Sequence, residues 1–179
     1  MKVDSAKTGR QGHASVPESL GSRPKKHLVD GKYSIKDLVD LDELHALFQS
    51  FTDAMGFTIG FLSAPELEIL IATGWRKICT QYHRNCPLAA ERCRISNAKL
   101  VRHCKRPGQI IIEACENGLV DCATPIIIKG KKVAILATGQ VLLKSPNIEH
   151  FRKQAKLYGC NEAAYLRALK DVPVISPKK

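Results

Sequence analysis

Apolar residues between Leu38 and Met55 recur at spacings of three and four: Leu38, Leu41, Leu44, Leu47, Phe48, Phe51 and Met55. That is the period of an amphipathic helix. Asp40 and Glu43 form a capping-box pattern at its start, and Gly56 supplies the stop. The next stretch, FTIGFLSAPELEILIATG, alternates and is β-branched on both sides of a proline-containing turn, which predicts a hairpin over 57–62 and 68–72. Periodicity turns helical again in WRKICTQYHRNCPLAAERCRISNAKLVRHC. Pro87 suits the first position of a helix and follows a break, so a short helix is expected at about 76–83 and a longer one at about 87–104. GQIIIEAC, GLVDCATPIIIKG and KKVAILATGQVLL read as three strands, the last two joined by a tight turn of Lys129 to Lys131 around Gly130. Two closing helices fit NIEHFRKQAKLYG and NEAAYLRALKDV.

Helix, hairpin, helices, a three-strand meander and closing helices imply an α+β domain. Its expected core is an antiparallel sheet of about five strands with helices packed on one face. A variant PAS-like sensory domain has this layout, and so do other α+β folds. Residues 1–32 are rich in Ser, Gly, Pro and Lys with no apolar periodicity, so they are expected to form a disordered basic tail. The folded domain is expected over 33–176, with 177–179 as a short C-terminal tail. A chain of 179 residues with 44% hydrophobic and 25% charged residues suits one such domain.

The formal charge of +11 raises the question of nucleic-acid binding. It is concentrated: residues 76–106 hold nine Lys or Arg against Glu91 alone, and residues 1–30 add a net +3. The basic segment lacks helix-turn-helix spacing, aromatic interleaving and zinc-finger spacing, so direct nucleic-acid binding is not expected and a solvated face or an anionic partner is the better reading. No apolar run approaches the roughly 20 residues of a membrane span, and the N-terminal stretch has no hydrophobic centre of a secretory signal. The expectation is a cytoplasmic protein whose seven cysteines are free thiols or metal ligands.

The chemistry-bearing residues gather in the basic segment and in the strands after it. Cys79, His83, Cys86 and Cys93 lie within fifteen residues, and Cys79 and His83 are one helical turn apart. Such soft ligands could hold zinc or an iron-sulfur cluster, although buried cysteine is also a common small hydrophobe. Cys115 and Cys122 flank ENGLVD, where Asn117-Gly118 is expected to turn. Strand alternation then puts 119, 121 and 123 on one face and 120, 122 and 124 on the other. Asp121 would need a partner if buried, with Arg84 or His83 as candidates, and otherwise would face solvent. Trp75, the one tryptophan, could pack in the core or form a ligand platform. Gly139 inside a strand marks a bulge or a close backbone approach to a ligand, and the adjacent Gln140 can donate and accept. No hydrolase, metalloprotease, phosphate-loop or dinucleotide motif occurs, so an enzyme is not indicated and no catalytic residue is assigned.

Taken together, YSIKDLVDLDELHALFQSFTDAMGF, ILIATGWRKICTQYHRNCP, RCRISN, CENGLVDCATPIIIKGKKVAILATGQVLL, FRKQAKLYG and YLRALKDVPVIS resemble the PocR ligand-binding domain. The resemblance spans about 33–176. It implies a variant PAS-like fold that senses simple hydrocarbon derivatives such as short diols and relays the signal to a histidine kinase, cyclic-dinucleotide or DNA-binding module. Trp75, Cys79, His83, Arg84, Cys93, Cys115, Asn117, Gly118, Leu119, Asp121 and Gln140 fall on its motif positions. Cys86, Cys104, Cys122 and Cys160 do not, which leaves Cys79, Cys93 and Cys115 as the functional cysteines. The ligand contacts expected on this basis are Trp75, Cys79, His83, Arg84, Cys93, Cys115, Asn117, Asp121 and Gln140. The alternative is a zinc or iron-sulfur centre on Cys79, Cys93 and Cys115, with His83 or Cys86 completing the set. Only three residues follow Ser176, so the expected output runs either through a separate signalling protein, a kinase or transcription regulator, or a homodimer, or through an output module missing from this stretch, as in a fragment or a split system.

Overall fold

The computed structural model describes residues 27–175. Helix α1 (Leu41–Met55) starts where Asp40 accepts hydrogen bonds from the Asp42 and Glu43 amides and ends at Gly56, which takes the left-handed conformation that a residue with a side chain resists. Strands β1 (Ile59–Ser63) and β2 (Ile69–Thr73) form the expected hairpin, one or two residues later than the alternation placed it. A π-helical segment, Ile78–His83, stands where the short helix was expected, and Arg84 N donates to Cys79 O at 3.0 Å across the widened turn. Helix α2 (Pro87–His103) opens on Pro87 as its sequence indicates. Strands β3 (Ile111–Ala114), β4 (Val120–Ile128) and β5 (Lys131–Val141) and helices α3 (Ile148–Leu157) and α4 (Glu162–Lys170) complete the order.

The five strands make one antiparallel sheet in the order β2-β1-β5-β4-β3, an α+β architecture of the PAS-like kind. β5 is central because the tight Lys129–Gly130 turn, with both residues at positive φ, folds it back along the whole of β4. Pro125 is tolerated inside β4 because β3 reaches only as far as Ala123, so no neighbour on that side requires the missing N–H.

The helices do not share one face. Alternation along β1 sends Phe61 to one side, where its ring meets Phe48 of α1 edge-on at 6.0 Å, and Leu62 to the other, where it packs with Leu100 and Cys104 beside and beyond the end of α2. The π-helix, α3 and α4 join on α2's side of the molecule in a core of Ile78, Leu119, Phe151, Tyr165 and Leu169. The expected single helical layer is thus divided, with α1 and the short 3-10 turn Ile35–Asp37 on the opposite face. The folded body also begins earlier than residue 33. Val29 is buried, bridges to Tyr33 and clusters with Ile35, Phe61 and Ile71. The rest of the expected tail, residues 1–26, lies outside the described residues, as do 176–179.

Candidate ligand-binding site

A cavity of about 60 Å³ opens between the sheet and the helices of the basic segment. Its floor is sheet: Gly60 from β1, Asp121 from β4, and Ala137 to Gln140 from β5. Its other walls are Trp75, the π-helix through Cys79 and His83, then Arg84, and α2 through Cys93 and Asn97.

Two glycines make the floor. A Cβ on Gly60 would lie 3.2 Å from the Trp75 ring, so its absence lets the indole lie against the strand, where Nε1 donates to Ile59 O at 2.8 Å. At Gly139 a Cβ would come within 2.6 Å of Asp121 Cα and 2.7 Å of Asp121 Oδ1, at a φ of +147° that disfavours any side chain. The register confirms the bulge suggested by the sequence: Asp121 pairs with Gly139 and Val120 with Val141, leaving Gln140 as the extra residue at positive φ. Thr58, just before β1, clamps the bulge, donating to Gly139 O and accepting from Gly139 N.

The bulge also settles the partner of Asp121. Asp121 is half-buried, and its Oδ1 accepts from Gln140 N at 3.1 Å, so a backbone N–H takes the place expected for Arg84 or His83. Burial pushes the Asp121 carboxyl above the ordinary range, against the opposing pull of the Gln140 N–H and the Arg84 charge. The Arg84 guanidinium stacks over the Trp75 ring at 4.3 Å, and its buried Nε has no hydrogen-bond partner among the described residues. Gln140 turns its Oε1 to the Arg76 amide at 2.6 Å. His83 is buried, and its Nε2 is engaged by the Tyr165 hydroxyl at 2.7 Å. Burial, then the neighbouring Arg84 charge, lowers its pKa to about 4, so the ring is neutral near pH 7.

Cys79, Cys93 and Cys115 share the cavity. Burial raises all three thiols, with Cys115 pushed up to about 12, so they are protonated near neutral pH and behave as soft walls rather than nucleophiles. The zinc or iron-sulfur tetrad expected from Cys79, Cys93, Cys115 and His83 is not assembled: among the described residues no group of three or more His, Cys, Asp or Glu side chains is placed to hold a metal ion. All seven cysteines are free.

Eight of the nine residues expected to contact ligand line this cavity: Trp75, Cys79, His83, Arg84, Cys93, Cys115, Asp121 and Gln140. Asn117 does not. Its buried amide donates to Ala89 O and Cys93 Sγ and accepts from the Tyr158 hydroxyl, which ties the β3–β4 turn to α2 and to the end of α3. Sequence reasoning missed Ser96 and Asn97. Their signal was present, since they lie three and four residues after Cys93 and so share its helix face. It missed Thr58 as well, whose role depends on a contact 81 residues away.

An α+β sheet domain that closes a small, mixed polar and thiol-lined cavity with its helices has the build of a small-molecule sensory domain. The chain belongs to the PocR family: the model of the sensory domain found in PocR matches residues 37–179. No curated protein matches the chain. Family and fold together define a small-molecule-sensing signalling domain. No helix among the described residues is long and apolar enough to cross a membrane.

Proposed function

We propose that the cavity binds a short, neutral, hydroxyl-bearing molecule such as a two- to four-carbon alcohol or diol, and that occupancy is passed to a separate signalling protein or output module. The observation that carries this reading is the buried Arg84 Nε without a partner, in the same cavity as Asp121. An unmatched donor in one cavity with a half-buried carboxyl suits a group that can accept and donate at once, and a hydroxyl does both. A cavity of about 60 Å³ has room for roughly four to six water-sized groups. Asp121 weighs against a carboxylate ligand, while the three protonated thiols and the Trp75 edge suit a short hydrocarbon skeleton.

Thermal unfolding with saturating short diols, alcohols and carboxylates tests the proposal. A ligand present at about 100 times its Kd adds about 2.7 kcal/mol and should raise Tm by several degrees. Asp121→Asn keeps an acceptor for the Gln140 amide and removes the charge from the half-buried side chain. The ligand-free variant should therefore melt no lower than wild type near pH 7, while its diol response should fall at least about tenfold in affinity. A wild-type Tm unmoved by every compound, or an undiminished response in the variant, would sink the reading.

A further inference from the structure

Among the described residues, the face of the sheet opposite the cavity is only partly covered. α1 uses Leu41, Leu44 and Phe48 to pack on the core around Phe61. Its other apolar row, Leu47, Phe51 and Met55 at four-residue spacing, points away from that core. The row continues across the sheet. Phe51, Phe57 and Ile110 border one apolar groove of about 340 Å³ floored by Ile59, Leu136 and Thr124, and Ile112 extends it along the edge strand β3. Leu47, Phe51, Met55, Phe57, Ile110 and Ile112 are each 41–65% exposed. Six large side chains about half exposed make roughly 600 Å² of apolar surface in one strip, at the top of what a monomer ordinarily shows.

We infer that this strip is the self-association surface of the domain, occupied by the same strip of a second copy. The chain's own undescribed segments do not suit it. Residues 1–26 hold six Lys or Arg and no apolar run, and 176–179 read Ser-Pro-Lys-Lys. A small apolar ligand could fill the groove but would leave Leu47, Met55 and Ile112 outside it. The area matches a two-fold interface: about 600 Å² of apolar surface from each copy, plus a polar rim, approaches the roughly 800 Å² per partner of a stable complex. Charge permits the contact as well. The basic residues Arg94, Arg102, Lys105 and Arg106 belong to α2 and the loop after it, on the far face of the sheet, whereas α1 contains no Lys or Arg from Leu41 to Met55. Two chains of formal charge +11 can therefore meet here with their cationic faces turned outward.

Sedimentation velocity and light scattering on the full chain, from about 1 to 200 µM, test the inference. Wild type should move toward twice 19.8 kDa with rising concentration. Phe51→Glu and, separately, Ile110→Glu should each weaken the dimer at least about 30-fold. Both positions are exposed, so the monomeric variants should keep the wild-type circular dichroism, and Arg102→Glu on the opposite face should leave the dimer intact. A wild type that stays monomeric at every concentration, or a dimer that survives both strip variants, overturns the inference. The diol response is read separately and does not depend on this outcome.

Discussion

His83 shows how one residue is committed by its surroundings. Its sequence position one turn after Cys79 suggested a metal or ligand contact, yet its Nε2 faces Tyr165, which in turn donates to Gln154. The folded state holds the ring neutral, with a pKa of about 4 in place of 6.5. Between those values the unfolded chain binds the proton and the folded one does not. The stabilisation is therefore complete above about pH 6.5 and lost as pH falls toward 4, by up to about 3 kcal/mol. His83→Gln retains a donor for Tyr165 and cannot ionise. Melting of both proteins from pH 7 to 4 should show wild type losing stability relative to the variant across that window. A constant gap would mean that the buried ring titrates normally.

At the scale of an element, the β5 bulge is the feature that turns a strand into a binding floor. Without it Gln140 would stay in register, and the Gly139 backbone could not meet Asp121 so closely. Gly139→Ala meets three atoms at 2.6–2.7 Å in a conformation unfavourable to alanine, and is expected to cost about 2–4 kcal/mol, a fall of roughly 5–15 °C in Tm. Gly130→Ala is the control, because its Cβ would meet nothing within 4 Å and only the left-handed φ opposes it; its cost should be about 1 kcal/mol. Equal melting of the two variants would refute the close approach.

On the scale of the whole molecule, Arg76 connects the two faces of the sheet. Its amide donates to Gln140 Oε1 in the cavity wall, and its Nη2 donates to Gly56 O at the C-terminal end of α1, 2.8 Å away. Thr52 and Thr73 add a second tie between α1 and β2. A ligand that shifts Gln140 would thus strain the end of the helix that carries the exposed apolar row. Binding can signal only through such a difference between states. Hydrogen exchange should show the amides of residues 52–57 changing protection when ligand binds, and Arg76→Ala should abolish that change while the Tm response persists. Identical exchange with and without ligand would exclude this route.

The elements, their order and part of the cavity lining were legible in the chain. Alternation in GLVDCATPIII sent Asp121 and Cys122 to opposite faces, and the Trp75 to Cys93 stretch and Gln140 carried the resemblance, because a strand or helix period needs only local spacing. Pairwise tertiary contacts decided the rest. Which of its two apolar rows α1 would bury depends on Phe61, thirteen residues beyond Phe48 and across a turn. Asn117 became a brace because Ala89 and Tyr158 reach it first. The thiols lined a cavity without gathering round a metal site because a ligand set requires convergence in three dimensions, and no one-dimensional spacing across separate elements can specify that.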